Sequence, residues 1–148
     1  LLIAFFLLWW LPRSRWSIHL RLNQTFFVIV NISGILCGLC GFILTIILSD
    51  LIIELHLWEL ILLPYALIHV YWIAAQRTAS GSEIYDEKQV YNMQSAAAFS
   101  FAVSLPFMIV LFMIYQAHFI SGLLWLPLYF FQALFCYSAG VLYYFRHA

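Results

Sequence analysis

Charge is what this chain has least of: six acidic and six basic residues in 148, or 8%, against an apolar content of 66%. Soluble domains carry about a quarter charged residues, and a globule this small with so few could not cover its surface in water. The formal net charge is zero, which excludes bulk electrostatic attraction to nucleic acid or to an acidic partner. Catalytic signatures are missing as well. The sequence holds no G-x-S-x-G, no H-E-x-x-H and no Walker loop, and no Ser/His set or paired aspartates fall within its apolar runs. An enzyme is therefore not the expectation. Cysteine is scarce too, so a thiol relay would have one pair, Cys37 and Cys40, and no second pair to receive electrons, since Cys136 stands alone.

What is abundant is long apolar sequence. The runs reach about 20 residues, the length a helix needs to cross a hydrocarbon layer of roughly 30 Å. The expected fold is all-α: a polytopic transmembrane helix bundle with four full spans plus a truncated N-terminal span. It forms a single transmembrane domain over 1–148. The spans are placed at 25–48, 58–75, 96–115 and 119–145, with a partial span at 1–11. The opening run is not read as a signal peptide, because Arg13 and Arg15 follow it instead of preceding it. Between the spans lie two hydrophilic loops, 13–24 and 76–92.

The basic residues decide the orientation. Arg13, Arg15, Arg21, Arg77, Lys88 and Arg146 all fall in stretches facing one side, and none falls in the stretches facing the other. Basic loops stay cytoplasmic, so both loops and the C-terminus are expected inside, with a bacterial inner membrane as the expected location. Trp9, Trp10, Trp16, Trp58, Trp72, Tyr115, Tyr143 and Tyr144 cluster near the predicted interfaces, as aromatic belts do. No basic groove accompanies them, so no nucleic-acid platform is implied.

A few polar or small residues carry the functional expectations. Ser33, Gly34, Cys37, Gly38 and Gly41 recur at three- and four-residue spacings, a stripe at which another helix can approach closely. Either a neighbour in the same chain or a second copy would serve. Cys37 and Cys40 also form a Cys-x-x-Cys run, the spacing of a redox dithiol or half a zinc site. The pair lies mid-helix, roughly 12 Å or more from either surface by helical rise, where desolvation disfavours the reactive thiolate. His69 is the most deeply placed histidine, and ionisable groups at such depth are functional hypotheses by default. Glu59 is expected just below the opposite interface, beside the acidic stretch of Asp50 and Glu54. Neither a haem nor any other cofactor is predicted.

Asp86, Glu87 and Lys88 sit in IYDEKQVYNMQSAAAF, directly before an apolar run. With Tyr91 they resemble a motif of small uncharacterised bacterial multi-pass membrane proteins, in which a cytosolic Asp-Glu-Arg/Lys separates two helical hairpins. The resemblance covers residues 25–145 in layout and only these few residues in motif. It departs in having Lys where Arg is usual and in the additional leading helix. It implies two hairpins and carries over no activity. Acidic residues at a helix N-terminus also complement its dipole, so Asp86 and Glu87 have a capping role as well as a docking one.

The functional expectation is a non-catalytic integral accessory or structural subunit. Its partners are the lipid bilayer and either other membrane subunits or itself. The alternatives are a small transporter or channel using Glu59 and His69, and a quinone-linked thiol oxidoreductase using Cys37 and Cys40.

Overall fold

The computed structural model describes residues 24–78 and 87–147, with positions 3, 6, 9 and 10 of the opening run; side chains are described for 25–71 and 91–146. Most of the expected partial span 1–11, the stretch 13–23 and residues 79–86 lie outside the described residues. All described elements are helical: α1 (Gln24–Ile47), α2 (Ser49–Glu54), α3 (Leu57–Thr78), α4 (Glu87–Gln116) and α5 (Trp125–His147).

Among the described residues three helices, not four, are long and apolar enough to cross a membrane: α1, α4 and α5. This corrects the expectation of four full spans. The segment expected to span at 58–75 lies in α3, whose apolar part is Leu57–Tyr71. Between Glu59 and Gln76 lie 16 residues, a rise of about 24 Å, short of a hydrocarbon layer of roughly 30 Å. Glu59 stands in the first turn of α3 and the polar Gln-Arg-Thr closes its last.

Other boundaries differ for local reasons. α4 starts at Glu87, so the segment 87–92 is helix instead of loop and α4 reaches 30 residues. α5 starts at Trp125, six residues later than expected. The chain stops after Gln116 because His118 adopts a left-handed backbone, φ 61°. The His118 amide donates to the Tyr115 carbonyl and the Phe119 amide to the Ile114 carbonyl, the two bonds that close a Schellman motif. His56, φ 50°, makes the corresponding reversal between α2 and α3. Pro127 sits in the first turn of α5, where its missing N–H has no helical partner to lose.

The four long helices run antiparallel to their neighbours, in the order α3, α1, α5, α4 across the bundle. One end, called basal here, gathers Gln24, Thr78, Glu87 and His147; the other, distal, gathers Ile47, Leu57, Gln116 and Trp125. The distal half holds an apolar cluster. Leu111, Leu124 and Leu128 are buried there against Phe42, Ile53, Phe107, Ile120 and Tyr129. The basal half is where the polar side chains meet.

Candidate functional site: a polar cleft among four helices

Glycine brings α1 and α5 together. A methyl group at Gly38 would lie 2.8 Å from both the Phe131 carbonyl oxygen and the Phe135 amide nitrogen, so the two helix backbones touch. At Gly41 the space of a side chain is taken by the Phe131 ring, and at Gly34 by the Ser138 hydroxyl. Phe131 and Ser138 are fully buried in consequence. Cys37 lies on the same side, its thiol against the Tyr65 backbone amide, while Cys40 is exposed. Ser33 turns its hydroxyl back to the Val30 carbonyl, 2.7 Å. The stripe is therefore occupied within the chain, by α5 and, at its basal end, by Tyr65 of α3.

A second small-residue face, on α4, escaped the sequence reading. Asn92, Ala96, Ser100 and Ser104 recur every four residues and are all buried. The Asn92 amide donates to the Tyr144 carbonyl at 3.5 Å, and the Ser100 hydroxyl to the Ala133 carbonyl at 3.0 Å. Ser104 donates to Gln132 Oε1 at 3.0 Å, and Gln132 Nε2 in turn to Cys136 Sγ at 3.1 Å. The four-residue spacing was the available signal. Its first member, Asn92, was read as the end of a loop.

The polar cleft opens where these packed pairs leave room. Asn31 and Phe27 from α1, Tyr65 and His69 from α3, Met93 from α4 and Tyr137 from α5 line it together with Val30. Asn31 is buried and donates to the Phe27 carbonyl at 2.8 Å. Tyr65 and His69, one turn apart on α3, stack with ring centroids 5.6 Å apart and an interplanar angle of 27°. The Tyr65 and Ser138 hydroxyls face one another, close enough to interact though short of regular hydrogen-bond geometry. Counting helical rise from the basal ends of α1, α3 and α5, the cleft lies roughly 10–15 Å deep. Of its residues, sequence reading singled out His69 and missed Tyr137 and Met93, whose roles depend on which helices become neighbours.

The remaining expected residues do not join this site. Glu59 is in the first turn of α3, partly exposed, with its carboxylate 4.0 Å from His56 Nδ1. Ten residues separate it from His69 on one helix, about 15 Å by helical rise, so the two occupy opposite halves of α3. Glu87 opens α4, with its side chain outside the described residues, as is Asp86 altogether. Among the described residues no three His, Cys, Asp or Glu side chains converge on a metal-sized position. No family model, curated protein or solved structure matches the chain, so the geometry of the bundle is the ground for a functional reading.

Proposed function

We propose that this chain is a non-catalytic integral membrane subunit that packs against other membrane proteins or against itself, with its basal end cytoplasmic. One observation carries the reading: each flanking helix has an exposed proline that leaves a backbone carbonyl without its regular donor. Pro64 of α3 and Pro106 of α4 are exposed, mid-helix and without an N–H to donate. The carbonyls they deprive of a regular donor belong to Leu60 and Ala102, which are exposed as well. In water such carbonyls would be solvated. In lipid a missing partner costs on the order of several kcal/mol, and a neighbouring helix carrying a hydroxyl or amide supplies one. α4 adds to this, for its span buries half the share that α1 and α5 bury. Phe101, Leu105, Ile109 and Phe112 stand along its uncovered side.

The transporter reading through Glu59 and His69 draws less support, because the two groups share no cavity. The thiol reading draws less again, because Cys37 is directed into the bundle and Cys40 away from it. Purification in mild detergent or native nanodiscs tests the proposal. A co-purifying membrane protein, or a dimer of this chain, is expected. A homogeneous monomer at the same yield with no associated protein contradicts it.

A further inference from the structure

We propose that the basal cleft binds one water molecule, held by His69, Tyr65, Tyr137 and Asn31, and that this water fastens α3 to α5. The argument begins with size. The cleft offers about 10 Å³ to the centre of a water-sized probe, roughly the 10–15 Å³ that a single water needs. It is far too small for a haem, a quinone or a lipid headgroup. Chemistry narrows the ligand further. An ordered internal water makes about three hydrogen bonds to polar groups, and four of the seven lining side chains bear such groups, drawn from three different helices. Phe27, Val30 and Met93 close the rest with apolar surface. Position supplies the reason for the site. At this depth there is no bulk solvent beside the cleft, so a water that enters is kept by the polar groups lining it.

The water would also complete a joint that side chains leave open. α3 packs along α1, and its described meetings with α5 are few: Trp58 stacked on Phe130 distally, at 6.4 Å between ring centroids, and the Tyr65–Ser138 approach. α5 offers α3 no glycine there, since its Gly140 faces Ala96 of α4. A water shared by His69 and Tyr137 ties the basal half of α3 to the bundle in place of close backbone contact. This site is independent of whatever covers the outer faces of α3 and α4.

Solid-state NMR of the full chain in lipid bilayers, with histidine side chains labelled with nitrogen-15, reads the site directly. The His69 signal is identified by its disappearance in His69→Phe. Water-to-protein magnetisation transfer should reach the His69 ring, more slowly than it reaches the exposed His56 and His118. That transfer should be lost in Tyr137→Phe, Asn31→Leu. Should the double variant fail to fold, Tyr137→Phe alone, which keeps the ring and removes the hydroxyl, is expected to weaken the transfer. Three results overturn the proposal: no transfer to His69, transfer as fast as to His118, or transfer unchanged in a folded variant.

Discussion

α5 meets its two neighbours in different ways. Toward α1 it presents Phe131, Phe135 and Ser138 to three glycines, and the pairs Phe27–Phe145, Gly34–Ser138 and Gly41–Phe131 advance by seven residues on each helix. Toward α4 it presents Gln132, Gly140 and Tyr144, and the pairs Asn92–Tyr144, Ala96–Gly140 and Ser104–Gln132 advance by fours and eights. The first face is a van der Waals joint in which rings fill the space that glycine leaves. The second is a hydrogen-bonded joint between small polar residues and an acceptor-rich partner. Lipid tails are as apolar as leucine, so neither joint is driven by burial from water; close packing drives the first and polar pairing adds to the second. The lesson is that glycine is needed where backbones touch and dispensable where side chains already leave room.

Substitutions should separate the two faces in a graded order, read as unfolding in mixed micelles followed by tryptophan fluorescence. Phe131→Ala is expected to have the largest effect, a loss of about 3–5 kcal/mol, because it empties a fully buried ring site at the glycine face. Gly38→Ala follows, with a loss of about 1–3 kcal/mol, since its methyl meets backbone atoms that cannot step aside singly. Ser104→Ala on the other face should lose only about 0.6 kcal/mol, the ordinary worth of an interhelical hydrogen bond in a membrane. Smallest of all is Gly140→Ala. Its methyl would stand 3.3 Å from the Ala96 Cβ, a fit that asks for a few tenths of an ångström. The helix preference of alanine, worth about 1 kcal/mol over glycine, should bring the net change close to zero. Equal costs for Gly38→Ala and Gly140→Ala would erase the distinction between the faces.

Legibility in the sequence followed the same division. The all-helical fold and the extent of α1 could be read, because an uninterrupted apolar run with its glycines on one side admits few other structures. The stripe Ser33–Gly41 was visible as a packing face, but its partner was not. Spacing states that a helix can approach, and only the bundle decides that α5 does. Two features misled. The polar residues up to Asn92 read as loop, although buried Asn92 serves the α4–α5 joint. The stretch Phe119–Leu124 was read as the start of a span despite Ser121 and Gly122, so the turn made by the left-handed His118 went unseen. α3 was taken as a full span because its expected bounds, 58–75, ran from before Glu59 to the last apolar residue before Gln76. The cleft was the least legible, since its lining comes from four helices whose adjacency no local pattern encodes.

The central claim, that the glycine stripe of α1 is satisfied by α5 of the same chain, can be tested by crosslinking. Gly34→Cys and Ser138→Cys, introduced together with Cys37, Cys40 and Cys136 replaced by alanine, place two Cβ atoms near 3.0 Å apart before relaxation, close to the separation of about 3.5–4.5 Å that a disulfide requires. Oxidation in the membrane is expected to give an intramolecular bond, seen as a faster-migrating monomer that reverts on reduction. A covalent dimer in its place, or two thiols that stay free under the same oxidant, would contradict the account.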